Sequence, residues 1–149
     1  ALARLGLRGF ERVPPLSMSG GQQKRLSIAA ATSWYPEIVG LDEPTVGQDL
    51  TNRMRLLGLI KLWSSRGVTT IIASHDVEFL WLLEPRVIAM SNGSIVADGS
   101  AREVLLNHAA VDAMGFRPPQ LAEIAEKLRI SGESKTVADI VSRLTRTGR

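Results

Sequence analysis

The sequence predicts an α/β fold: a parallel sheet flanked by helices, followed by a β-hairpin and a helical tail. Three observations carry that expectation. Two short apolar runs, Glu37 to Leu41 and Val68 to Ala73, end in the polar tips Asp42-Glu43-Pro44-Thr45 and Ser74-His75-Asp76. Each run follows a helical pattern, so the order helix, strand, polar tip occurs twice. Asn92-Gly93, set between two further apolar runs, supplies the positive φ angles of a tight antiparallel turn.

The elements follow in order. Residues 1–12 read as the end of a helix and a loop, and Val13-Pro14-Pro15 breaks regular structure. Ser19 and Gln22 have the spacing of a capping box, and Ala29-Ala30-Ala31 favours the helix that follows, in a region ended by Pro36. Glu37 to Leu41 and Val68 to Ala73 read as buried strands. Between them, Met54, Leu57, Ile60 and Trp63, with Leu56 and Leu59 alongside, predict a helix from about Asp49 to Arg66, closed by Gly67. Arg86 to Met90 and Ser94 to Asp98 form the hairpin arms. Ser100 with Glu103 makes a second capping box for a helix to about Asn107, and beyond Pro118-Pro119 two helices are expected, Gln120 to Leu128 and Lys135 to Leu144.

Composition narrows the function. The 149 residues are 44% hydrophobic and 22% charged, which suits a globular chain with a core; such a chain buries roughly 70% of its unfolded surface. Cysteine is absent, which excludes thiolate catalysis, cysteine zinc sites and iron–sulfur clusters. No apolar run approaches the roughly 18 residues of a membrane span, and the start has no signal-peptide pattern, so a cytosolic chain is expected. The 18 basic and 15 acidic residues are interleaved, and the clustered Lys and Arg of a nucleic-acid footprint are missing. No nucleic-acid partner is expected.

Three constellations carry chemistry. Asp42 and Glu43 alternate at a strand end and point in opposite directions, so they act separately. The Asp can hold a hydrated Mg²⁺ and the Glu can polarise a water. Taken alone, the pair is more simply a strand ending in acidic turn residues. His75 sits on the same rim if the strands are neighbours, where open α/β sheets keep ligand sites, although a lone histidine is more often structural. His108, at a helix-to-loop transition, reads as structural. Ser19-Gly20-Gly21-Gln22 leaves backbone N–H groups uncovered at a helix start and can attract phosphate, or is a plain glycine-rich helix start.

Ser19-Gly20-Gly21-Gln22 with Lys24-Arg25-Leu26, Leu41-Asp42-Glu43-Pro44-Thr45, Asp49 and Ser74-His75-Asp76, in that order, resemble the signature motif, Walker B, D-loop and H-loop of ABC-type ATPases. The resemblance covers nearly the whole chain and implies the C-terminal half of a P-loop NTPase fold. It implies ATP and Mg²⁺ as cofactors, with Ser19, Gly20, Gly21 and Gln22 against the γ-phosphate of an ATP held by a second protomer. Asp42 would serve Mg²⁺ through water, Glu43 would be the general base, His75 would contact the γ-phosphate, and Asp49 would link the two composite sites. It also implies residues 1–35 as the end of the helical signature subdomain, 36–107 as the second half of the ATPase core, and 108–149 as a C-terminal helical extension. The implied partners are a second ABC ATPase subunit and a transmembrane transporter subunit, at the cytoplasmic face of the membrane.

The sequence also departs from the family pattern. The phosphate-cradling G-x-x-x-x-G-K-[ST] loop is not among the 149 residues, and Gly132-Glu133-Ser134-Lys135-Thr136 lacks both the glycine before lysine and the preceding strand. The chain alone is therefore expected to be inactive, as a piece of a longer ATPase, or as an incomplete partner that donates its signature to another subunit; a soluble non-transport ATPase is a further alternative. Met18 replaces the usual leucine, and Gly40 interrupts the Walker B strand. Gly47-Gln48-Asp49, the Asp98-Gly99 turn and the tail from Arg117 are similar to energy-coupling factor transporter ATPases. Trp34, Trp63 and Trp81 are most simply packing residues.

Overall fold

The structure, a computed structural model, describes residues 1–128 and 137–147. Its two compact units are Ala1–Asp76 and Val77–Arg149.

In the first unit a 3₁₀ turn at Leu2–Leu5 ends at Gly6 in the left-handed region. Helix α1 (Gly20–Ala31) begins at the predicted capping box: the Ser19 side chain accepts from the Gln22 N–H, and the Gln22 side chain accepts from the Ser19 N–H. Strand β1 (Ile38–Asp42) leads to helix α2 (Leu50–Ser64), whose N-cap is Asp49. The end of α2 closes around Gly67 at φ +80°, with Val68 N–H on the Trp63 carbonyl and Gly67 N–H on that of Ser64, each at 3.0 Å. This is a Schellman closure, and it confirms the glycine stop read from the sequence. Strand β2 (Thr69–Ala73) then pairs parallel with β1, Ile38 opposite Thr69 and Asp42 opposite Ala73.

The two strands are not buried on both faces, in contrast to the expectation from their apolar runs. Val39 and Leu41 are buried, whereas Ile38 and Ile71 are each 64% exposed. In the parallel register Val39 pairs with Thr70 and Leu41 with Ile72, while Gly40 pairs with Ile71. Side chains alternate along a strand, so these pairs face one way and Ile38, Gly40 and Ile71 face the other. Only the first face is closed among the described residues. Gly40 does not interrupt β1, which runs through it. In α2 the buried stripe is Leu56, Leu57, Leu59 and Ile60, with Met54 45% exposed, so the inward face lies to one side of the three-residue series. Trp34 is 85% exposed and is not a packing residue here, unlike Trp81, which is buried.

The second unit opens with helix α3 (Val77–Leu83), for which the sequence gives no signal. Strands β3 (Arg86–Ser91) and β4 (Ser94–Ser100) form the predicted hairpin, with Asn92 at φ +49° and Gly93 at +75°, the two positive angles of a type I′ turn. Across it the Arg86 guanidinium grips Asp98 with two bonds of 2.8 and 2.7 Å. Helix α4 (Ala101–Leu105) starts at the second predicted capping box, Ser100 with Glu103. A further helix, α5 (His108–Ala113), capped by Asn107, stands where a loop is expected, so His108 opens a helix. Helix α6 (Gln120–Lys127) matches its prediction, and α7 (Val137–Thr147) overlaps its own; the predicted α7 start at Lys135 and the segment 132–136 lie outside the described residues. Trp81, Ala101 and Leu105 form the core of this unit, and the Arg102 guanidinium lies 4.8 Å from the Trp81 ring centroid.

Ser100 tests the capping reading. Ser100→Ala leaves the α4 amides without their acceptor and is expected to lower stability by about 1 kcal/mol. Chemical denaturation checks this; an unchanged midpoint would mean the cap contributes nothing.

Candidate nucleotide-phosphate site

Pairing of β1 with β2 brings Glu43 and His75 together, though they lie 32 residues apart in sequence. Parallel hydrogen bonding extends one residue past β1, with Glu43 N–H on the Ala73 carbonyl at 2.8 Å. Glu43 then turns into the left-handed region at φ +43°, a conformation that costs a non-glycine residue on the order of 1–3 kcal/mol and is kept where surrounding structure demands it. Strand alternation therefore ends at Asp42, and the opposite directions expected of Asp42 and Glu43 do not follow from it. The Glu43 carboxylate is held from β2: Oε1 accepts the His75 backbone N–H at 3.1 Å and lies 2.7 Å from His75 Nδ1, and Ser74 Oγ stands 3.4 Å from Oε2. Ser74 Oγ in turn accepts the Asp76 N–H at 3.1 Å, and Asp76 pairs with Arg53 of α2.

The hydrogen bond to Glu43 raises the His75 pKa above its ordinary 6.5, with the charges of Glu43 and then Asp76 adding to it. A raised imidazole pKa stabilises the fold fully below pH 6.5, and the contribution is lost as pH rises through the folded value. NMR titration of His75 is expected to give a pKa above 6.5 that falls back in Glu43→Gln. A value unmoved by that substitution would mean the carboxylate does not act on the ring.

Asp42 lies on the open face of the sheet with its side chain exposed, while its carbonyl accepts from Lys24 Nζ at 2.6 Å. Among the described residues no cluster of three or more metal-ligating side chains exists. The single exposed Asp42 carboxylate suits a hydrated Mg²⁺, which takes one or two carboxylates and completes its shell with water and phosphate oxygens.

At the start of α1, Ser19 and Gln22 are turned onto each other by the capping box. Among the described residues the Gly20 and Gly21 N–H groups have no hydrogen-bond partner, and open space adjoins the Gly20 Cα. Uncovered amides at the positive end of a twelve-residue helix suit an anion. Asp49 accepts from the Asn52 N–H at 2.8 Å and from its side-chain amide at 3.1 Å, so its carboxylate caps α2. The structure thus joins Glu43 with His75, and places the Ser19–Gln22 turn beside the segment before Asp49, where Gly21 approaches Gly47. Sequence reasoning quoted Lys24, Arg25, Gln48 and Ser74 only as members of motifs and passed over Arg53; that these side chains hold the pieces together shows only once the fold is known.

The ABC transporter family matches the chain over residues 1–46. The chain is 35% identical over 128 residues to the energy-coupling factor transporter ATP-binding protein EcfA of Methanocaldococcus jannaschii, covering 86% of this chain and 46% of that protein. It is 38% identical over 125 residues to the cobalt import ATP-binding protein CbiO of Rhodobacter capsulatus, covering 84% and 45%. Among solved structures, cbiO1 of Clostridium perfringens, part of the ABC transporter complex cbiONQ, superposes with a TM-score of 0.61 at 28% identity, covering 87% of this chain and 51% of that one. The chain spans about half the length of the curated relatives it matches. In its motifs, its fold and these likenesses together, the chain is similar to the ATP-binding proteins of ABC transporters over about half of their length.

Proposed function

We propose that this chain is the signature- and carboxylate-bearing part of an ATP-hydrolysing subunit of an ABC importer of the energy-coupling factor type, taking up a vitamin or metal ion. The observation that carries the reading is the Glu43 carboxylate fixed 2.7 Å from His75 Nδ1 at the carboxyl ends of two parallel strands. Phosphoryl transfer to water needs positioned donors, a metal holder and a water orienter more than covalent help from protein. Glu43 is the water orienter, and its hydrogen bonds fix the direction of the carboxylate. His75 keeps its second ring nitrogen for a phosphate oxygen. Asp42 holds Mg²⁺, which supplies charge neutralisation on the phosphates when bound. The Gly20 and Gly21 amides, with the Ser19 hydroxyl and Gln22 at the same turn, receive the γ-phosphate of an ATP gripped by a second ATPase subunit. Asp49, at the start of α2, stands where the two subunits would communicate.

No helix among the described residues is long and apolar enough to cross a membrane. The transport path on this reading belongs to a transmembrane partner, with this subunit at its cytoplasmic face. The test is Mg²⁺-dependent ATPase activity of the full-length protein, with and without the purified membrane partner. Saturable hydrolysis that the partner accelerates is expected. Its absence in both preparations would refute the reading.

A further inference from the structure

Two adjacent cations of α1 reach opposite ends of the segment that links β1 to α2. Lys24 Nζ donates to the Asp42 carbonyl at 2.6 Å, where β1 ends. Arg25 Nη1 donates to Gln48 Oε1 at 2.5 Å, one residue before the Asp49 cap. The Gln48 carboxamide then returns to α1, its Nε2 donating to the Gly21 carbonyl at 3.1 Å. Backbones meet at the same point: a Cβ on Gly21 would stand 2.6 Å from the Gly47 carbonyl oxygen, and Gly47 itself has φ +71°. Arg25 Nε is buried with no partner, so the guanidinium is held here against a desolvation penalty, unlike a solvated surface contact.

We propose that Gln48 is a positioning residue for the glycine-rich start of α1. Its carboxamide fixes Gly21 between Arg25 and the Gly47 carbonyl, and so sets the direction of the Gly20 and Gly21 amides relative to the end of β1. The inference rests on the function above for what those amides meet, but the link itself does not. An amide is the side chain that fits: one acceptor for the guanidinium and one donor for the carbonyl. Glutamate keeps the acceptor and gains a charge pair with Arg25, yet sets an oxygen against the Gly21 carbonyl. Leucine, of similar size, loses both bonds.

The experiment uses the full-length protein, with hydrogen exchange of the α1 first-turn amides and steady-state ATPase kinetics on Gln48→Leu, Gln48→Glu, Arg25→Met and the Arg25→Met/Gln48→Leu double variant. Exchange at Gln22 and Gln23, whose N–H groups bond the Ser19 hydroxyl and carbonyl, is expected to speed up about tenfold in both Gln48 variants, while amides of α4 and α5 stay protected and show that the protein is folded. The kcat should fall about tenfold with KM nearly unchanged, because the ATP is gripped by the other subunit on the reading above. The double variant should be no worse than the worse single variant, since either change breaks the same bridge. Unchanged exchange in both Gln48 variants, or independent multiplication of the two kinetic losses, would overturn the proposal. A wild-type protein that hydrolyses no ATP would overturn the function instead, and the exchange result alone would then decide the role of Gln48.

Discussion

In the full-length protein, Glu43→Gln is expected to lower ATP hydrolysis by at least about a hundredfold, because a general base contributes roughly 10²–10⁴-fold. ATP binding should persist. The carboxamide is nearly isosteric and still presents an oxygen to the His75 N–H, now 3.1 Å from Oε1, so the left-handed turn at Glu43 keeps its support from β2. What disappears is the negative charge beside the His75 ring, which on the proposed function also polarises the attacking water. The measurement pairs single-turnover hydrolysis with nucleotide binding. Retained turnover would remove Glu43 from the role, and lost binding would make it a structural residue. His75→Ala separates the two functions of the pair: it should also weaken turnover, but by less, since the base itself remains.

The second large effect concerns neighbouring glycines with opposite surroundings. Gly21→Ala places a methyl 2.6 Å from the Gly47 carbonyl oxygen, a backbone atom that moves only with its loop. Relief requires α1 and the Thr45–Asp49 segment to separate, which should cost about 1–3 kcal/mol and disturb both bonds of Gln48. Gly20→Ala meets nothing within 4 Å and replaces a poor helix former, so stability should hold or rise by up to about 1 kcal/mol. Turnover, however, should fall in both variants, because the Gly20 methyl occupies the space beside the open amides. Thermal denaturation and ATPase assays on the two variants check this. Equal stability of the pair would contradict the close approach, and full activity of Gly20→Ala would contradict phosphate at that turn.

The parts of this molecule that are legible in the sequence are local. Two capping boxes, the Gly67 closure and the Asn92-Gly93 turn depend on residues within a few positions of one another, and each forms as read. The strand pairing is legible too, because two apolar runs with polar tips on either side of one helix leave little choice of topology, and this pairing puts His75 on the rim beside Glu43. Short helices are harder. Val77–Leu83 is a nearly unbroken apolar run without helical periodicity, and His108–Ala113 is too short to show one. Burial departs from expectation where it depends on what covers a surface: Ile38, Ile71 and Trp34 are apolar, yet among the described residues nothing closes over them. The Arg25–Gln48–Gly21 bridge is invisible in the sequence, since a contact across 23 residues leaves no mark on spacing or composition. The left-handed backbone at Glu43 is equally hidden, because glutamate gives no hint of positive φ.

The most direct measurement is the mass in solution of full-length Glu43→Gln protein with and without Mg²⁺-ATP. If the Gly20–Gly21 turn of one subunit completes a phosphate site on another, ATP that is bound and not hydrolysed should convert the protein to a dimer, and adding Gly21→Asp should abolish the conversion by setting a carboxylate against the γ-phosphate. A mass that ATP leaves unchanged, in protein shown to bind it, would contradict the shared site.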